Sequence, residues 1–155
     1  RVSIPKLLSN DLSSNLSFIN ELTVVNMNKI KMTDEIDAGP VYYKRDLHLD
    51  GSAEQIYERS AKLCISIIEL IVKKEPVPIE QNGTVTIFSR RTPLQSEFPN
   101  DLDIDTLYDF IRMLDADGYP NAYIKYGKLK FEFSNANYDA NGDLNANVEI
   151  KEQDE

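Results

Sequence analysis

The spacing of apolar and polar positions switches between two periods along this chain, and the switches mark its elements. Residues 22–32, LTVVNMNKIKM, set Val25 and Met27 in alternation with Val24, Asn26 and Asn28. A period of two gives a strand with one apolar face. A second extended segment, VYYKRDLHL, runs from Val41 to Leu49, bounded by Pro40 before it and Asp50-Gly51 after it. The pattern then changes to that of a helix. In GSAEQIYERSAKLCISIIELIVKKEP the residues Ile56, Leu63, Cys64, Ile67, Ile68 and Ile71 recur at spacings of one, three, four and seven, which predicts one buried stripe. Ser52 is the expected N-cap, with Glu54 and Gln55 in the first turn. Lys73 and Lys74 suit the negative end of the helix dipole, and Pro76 and Pro78 stop the helix.

Downstream, Asn82-Gly83 reads as a turn entering a strand at Thr84–Ile87. SRRTPLQSEFPND lacks periodicity and predicts a loop near a domain boundary. DIDTLYDFIRML offers Asp103 or Asp105 as a cap, then Leu107, Phe110, Ile111 and Leu114 on one stripe. Three extended runs follow, NAYIKY, KLKFEFSNANY and LNANVEI, separated by turns at Gly127 and at Asn141-Gly142. Residues 1–20 read as loop with one short helical turn, and the acidic tail KEQDE as frayed. The expectation is an α/β chain. Residues 1–98 carry the sheet and long helix, and residues 99–155 form a small, mostly antiparallel α+β unit.

Composition narrows the function. The 155 residues are 41% hydrophobic and 28% charged, which fits a globular protein, and the net charge of −9 would repel a phosphate backbone. Nucleic-acid binding is therefore not the default. The longest apolar run, CISIIELIV, is broken by Glu69 and falls far short of the roughly 20 residues of a membrane span. There is no leader pattern. The expected location is the cytoplasm. The chain begins at Arg1 rather than Met, so a fragment or a processed product is expected.

One cysteine, Cys64, excludes an intrachain disulfide and reads as a small buried hydrophobe, with no basic neighbour in sequence to activate it. One cysteine and one histidine cannot build a nitrogen-and-sulfur zinc site. His48, alternating with Leu47 and Leu49, reads as a solvated surface residue. Asp139, Asn141 and Asp143 alternate as calcium ligands do, but Leu144 stands where the calcium loop requires glycine, so this is a hairpin turn. No metal is expected.

The segment with most chemical interest is KMTDEIDAGPVYYK, Lys31 to Lys44. It places Asp34, Glu35 and Asp37 in a turn between two strands, where sites tend to be built. Gly39 would let a ligand approach the backbone, and Pro40 would stiffen the exit. On residue chemistry alone a solvated acidic turn is the simpler reading. Arg90 and Arg91, the only adjacent arginine pair, suit either a phosphate or a structural ion pair.

MTDEIDAGPVYYK resembles the segment of the 10-formyltetrahydrofolate-dependent formyltransferases that carries their catalytic aspartate. That family includes the glycinamide ribonucleotide, methionyl-tRNA and sugar-amine enzymes. DGSAEQIYERSAKL resembles the helix that follows in that family. FSRRTPLQSEFP resembles the arginine-rich signature closing its catalytic domain. LYDFIRMLDADGYPNAYIKYGKLKFEFSNA resembles the helix and small β unit of its tRNA- and sugar-type members. The resemblance covers about Thr23 to Ile150. It implies Asp37 as the catalytic aspartate. It implies a pterin-lining loop of Thr33, Asp34, Glu35 and Ile36, with 10-formyltetrahydrofolate as co-substrate and a primary amine as acceptor.

The family's Asn-x-His pair, which precedes this aspartate, does not occur in the sequence. By the resemblance the chain is a C-terminal portion, incomplete by itself. Either it is a remnant kept as a binding module, or it is a methionyl-tRNA formyltransferase fragment, or it is complemented by a separate chain that supplies the first half; a homo-oligomer is the other expected partner. Exposed apolar positions on LTVVNMNKIKM would then form the interface. A short acidic C-terminal unit favours a nucleotide-linked amino sugar over tRNA as acceptor, with Arg90 and Arg91 on its phosphate or bracing the domain junction.

Overall fold

A computed structural model describes residues 24–34, 38–83 and 91–153, and residues 24–26 by their backbone alone. The loop expected over residues 1–20 and the strand expected at Thr84–Ile87 lie outside the described residues.

Strands β1 (Val24–Ile30) and β2 (Val41–His48) pair antiparallel, with Met27 opposite Arg45 and Val25 opposite Leu47. The alternation has its predicted result. Met27, Val41, Leu47 and Leu49 are buried, while Asp46, His48 and Asp50 face solvent. Helix α1 (Ala53–Lys74) lies across this pair. Its start is a capping box. The Gln55 amide donates to Ser52 Oγ, and the Ser52 amide donates to Gln55 Oε1 at 3.0 Å. Its end turns left-handed at Glu75, whose N–H returns to the Ile71 carbonyl at 2.8 Å.

The buried line of α1 is Ala53, Ile56, Ser60, Cys64 and Ile67, with Leu63 and Ile71 partly buried beside it. Ile68, expected in the stripe, is 49% exposed. One residue turns a helix by 100°, so with Ile67 pointing at a sheet of two strands Ile68 must point past its edge. Ile65 and Val72 share that outer side, at 60% and 72% exposure. Of the segment expected to form an interface, residues 22–32, the side chains of residues 22–26 lie outside the described residues. Met27 is fully buried, Met32 is exposed, and the larger exposed apolar stripe lies on α1.

Sequence neighbours give Cys64 no basic partner, but strand geometry supplies one. Lys29, two residues along β1 from Met27, shares its inward face and is only 7% exposed. Its Nζ lies 2.8 Å from Cys64 Sγ.

Residues 91–153 build a second layer pair. The segment read as loop contains a short 3-10 turn (Pro93–Ser96), and Phe98 packs edge-on to Phe110 at 5.4 Å. Helix α2 (Ile104–Arg112) is capped by Asp103, which accepts from the Thr106 amide at 2.7 Å. Three antiparallel strands follow in sequence order: β3 (Ala122–Tyr126), β4 (Leu129–Tyr138) and β5 (Leu144–Glu152). Phe110, Ile111 and Leu114 meet Ala122 and Phe133 to form its core. The other sheet face carries a charge ladder. Glu132 accepts from Lys130 at 2.6 Å and from Lys151 at 2.5 Å. The β4–β5 hairpin closes on Asp139, whose Oδ1 accepts from the Asn141 and Asp143 amides at 2.8 and 3.0 Å. Asp139 therefore organises a turn.

The two parts are joined by Arg112. Its Nε is 2.5 Å from Asp109 Oδ1, and its Nη1 donates to the carbonyls of Leu49 at 2.6 Å and Gly51 at 2.9 Å. Met113, next in the chain, sits in the core of α1 and the first sheet.

Candidate functional site

The acidic turn connects β1 to β2, and its base is tightly fixed. The Lys31 amide donates to the Pro40 carbonyl at 2.8 Å. Val41 and Ile79 exchange both backbone hydrogen bonds, at 2.7 and 2.9 Å, and Gln81 Nε2 donates to the Gly39 carbonyl at 2.7 Å. Gly39 has a definite reason to be glycine. A Cβ there would stand 1.8 Å from the Lys31 carbonyl oxygen. The close approach it permits is that of the opposite side of its own loop.

Above this base, Thr33, Asp34 and Ala38 are exposed. Glu35, Ile36 and Asp37 lie outside the described residues, so of the expected pterin loop the structure describes Thr33 and Asp34 alone. Beside the base an open cleft of about 460 Å³ is lined by Val41, Tyr42, Tyr43, Lys44 and the segment Ile79–Asn82.

Arg90 also lies outside the described residues. Arg91 is half-buried. Its Nη2 donates to the Gln95 carbonyl, and its guanidinium sits 5.9 Å from the centre of the Phe110 ring. Burial pulls its pKa below the ordinary arginine value. Nη1, also buried, has no hydrogen-bond partner among the described residues.

The geometry brings Thr33 and Asp34 to one loop and sets Arg91 at the 3-10 turn against α2. Sequence reading missed the junction built by Asp109 and Arg112. The available signal was a charged pair three residues apart on a helix whose same side carries Phe110 and Ile111. Among the described residues no group of three His, Cys, Asp or Glu side chains could hold a metal ion, and no helix is long and apolar enough to cross a membrane.

An aspartate-bearing loop between two strands, a helix packed on them and a separate helix-and-meander unit define a mixed α/β fold of the formyltransferase type. The sequence model of the methionyl-tRNA formyltransferase C-terminal domain matches residues 93–151. The solved methionyl-tRNA formyltransferase from Clostridium thermocellum is 42% identical, with a TM-score of 0.82 over 93% of this chain. The chain spans 66% of that protein's length. Two more distant structures share the fold. HypX from Aquifex aeolicus, in complex with tetrahydrofolic acid, is 15% identical with a TM-score of 0.56, covering 82% of this chain and 23% of its own. A 4-N formyltransferase from Francisella tularensis is 17% identical with a TM-score of 0.50, covering 90% of this chain and 55% of its own. None of the curated proteins matches the chain significantly. The chain belongs to the formyltransferase family, and its matches fit the C-terminal portion of a methionyl-tRNA formyltransferase.

Proposed function

We propose that this chain supplies the aspartate loop and the C-terminal unit of a cytoplasmic enzyme that transfers a formyl group from 10-formyltetrahydrofolate to a primary amine. The observation that carries the reading is the 42% identity, spread over 93% of the chain, to a methionyl-tRNA formyltransferase. Asp37 is the proposed catalytic residue, a carboxylate assisting proton transfer as the amine attacks the formyl carbon. Thr33, Asp34, Glu35 and Ile36 are proposed to line the pterin pocket, over the base fixed by Gly39 and Gln81.

The family's Asn-x-His pair is not among the 155 residues, so transfer needs that pair from a complementing half. The exposed Ile65, Ile68 and Val72 stripe on α1 supports such a partner. The division at residues 1–98 and 99–155 belongs to the same proposal, with Phe98 packed on Phe110 and Phe133 at its border.

For the acceptor, similarity favours methionyl-tRNA. A nucleotide-linked amino sugar is the second reading, favoured by the net charge of −9. Arg90 and Arg91 then contact the phosphate of either acceptor or brace the junction. Calorimetric titration with 5-formyltetrahydrofolate, beside Asp37→Ala, tests the folate site. Saturable binding weakened by the substitution is expected. A folded chain that binds no folate at millimolar concentration would leave a shared fold without the site.

A further inference from the structure

The family reading gives no task to the contact between Lys29 and Cys64. Lys29 is 7% exposed and Cys64 6% exposed, and Nζ points at Sγ across 2.8 Å. Met27 Sδ lies 4.0 Å from the same sulfur and accepts from the buried Ser60 hydroxyl at 3.3 Å, and Ile56, Ile67 and Leu47 belong to the same core. Burying an amine costs stability unless a good acceptor meets it, and a cysteine sulfur is a weak one. Among the described residues no carboxylate forms an ion pair with Lys29. As a packing choice a leucine or methionine would serve this position better. The arrangement makes sense as a pair of reactive groups held at bonding range.

We propose that Lys29 and Cys64 form an oxidative modification site, closed by peroxide into a covalent Nζ–O–Sγ bridge. In the first step the thiol and one peroxide give a sulfenic acid and water. Sulfur loses two electrons, the peroxide O–O bond breaks, and an S–O bond forms. In the second step the sulfenic acid, the Lys29 amine and another peroxide give the bridge and two waters. The N–O bond forms, the nitrogen loses two electrons, and one N–H and the sulfenic O–H leave as protons in water. Two single bonds meeting at an oxygen nearly span the observed separation. A direct S–N bond would require the atoms to close by about an ångström in a packed core. An ammonium beside a thiolate carries the same protons as an amine beside a thiol, so the balance holds for either form. The bridge would tie β1, the strand leading directly into the Thr33–Asp37 loop, to α1, and closing that chain loop raises stability.

The test is peroxide treatment of the full chain, followed by peptide mapping and mass measurement. The expected product is a β1 peptide joined to an α1 peptide, about 14 Da heavier than their sum for one oxygen gained and two hydrogens lost. Mapping separates this from the sulfoxide of exposed Met32. Dithiothreitol should restore both residues, and the bridged protein should melt at a higher temperature than the reduced one. Lys29→Met, which returns an apolar side chain to the core, should fold and show no joined peptide. Oxidation confined to Cys64 with Lys29 intact would overturn the proposal. So would a joined peptide about 2 Da lighter, the mark of a direct S–N bond. An unchanged Cys64 under conditions that fully oxidise Met32 would overturn it as well.

Discussion

The two halves of the molecule solve the same packing problem to different degrees. Residues 93–152 set one short helix against three strands, with the Phe98 ring in contact with those of both Phe110 and Phe133 at their centre. The sheet is a simple meander, in which each strand pairs with the next. Among the described residues, residues 24–83 set a 22-residue helix against two strands. That helix has more apolar surface than two strands can cover, so Ile65, Ile68 and Val72 remain outside. The first half is built around a loop and leaves a face open. The second closes on itself through local contacts. A self-contained unit needs few instructions from elsewhere, whereas a loop-bearing unit of this kind gains its stability through neighbours, and Arg112 of the second half is such a neighbour.

The largest expected effect therefore comes from breaking that joint. Arg112→Ala leaves the Asp109 carboxylate buried without its partner and removes the donor to the Leu49 and Gly51 carbonyls. Removing one member of a buried pair costs roughly 3–5 kcal/mol. Urea unfolding should show the α1 half melting first and the meander surviving as a separate transition. A single transition shifted by less than about 1 kcal/mol would show that the halves do not depend on this contact.

The next effect is confined to the first half. Gly39→Ala drives a methyl group into the Lys31 carbonyl, 1.8 Å away, so the loop base must open. Overpacking of this kind costs about 1–3 kcal/mol. Hydrogen exchange at the Lys31 amide should accelerate while amides of β4 and β5 keep their protection. Equal acceleration in both halves would mean that the loop base and the meander form one cooperative unit.

These two positions also show what was legible in the sequence. Regular elements were readable, because their signals are local. Ser52 with Gln55, Asp103 with Thr106, and the alternation in β2 each act within a few residues. Gly39 was readable as special, but its cause was not, since the Lys31 carbonyl comes near only once β1 and β2 pair. Lys29 and Cys64 are 35 positions apart, and Arg112 and Leu49 are 63 apart. Nothing in local pattern brings such pairs together. Ile68 was placed inside because the helical period fixes a face but not its width, and the width depends on how many strands lie beneath. The centre of the acidic turn, Glu35 to Asp37, was readable only through family resemblance and stands outside the described residues.

A smaller effect compares the two caps. Ser52→Ala removes the acceptor of the Gln55 amide and should cost about 1 kcal/mol. Because α1 runs for 22 residues and is held along its length by Ile56, Cys64 and Ile67, fraying should stop within the first turn. Circular dichroism should change little at 25 °C, with the loss visible only as a lower melting temperature. A large loss of helical signal would show that α1 depends on its cap more than on its packing.

The smallest effect separates the halves by acid. Three carboxyls of the second half are held below their ordinary range: Asp103 by hydrogen bonds from Thr106, Glu132 by those from Lys130 and Lys151, and Asp139 by the amides of Asp143 and Asn141. A depressed carboxyl contributes stability that is fully present above its unfolded value, near 4, and is lost as pH falls through its folded value. Lowering the pH from about 5 to about 2.5 should therefore weaken the meander. Glu132→Gln should remove part of that slope, because the amide cannot titrate, while leaving the protein less stable at pH 7 through loss of two charge-assisted bonds. Acid melts of the Arg112→Ala protein, in which the halves unfold separately, would read the two slopes side by side. A steeper slope in the α1 half would place the pH-sensitive carboxyls in the loop-bearing region instead of in the charge ladder and the Asp139 turn.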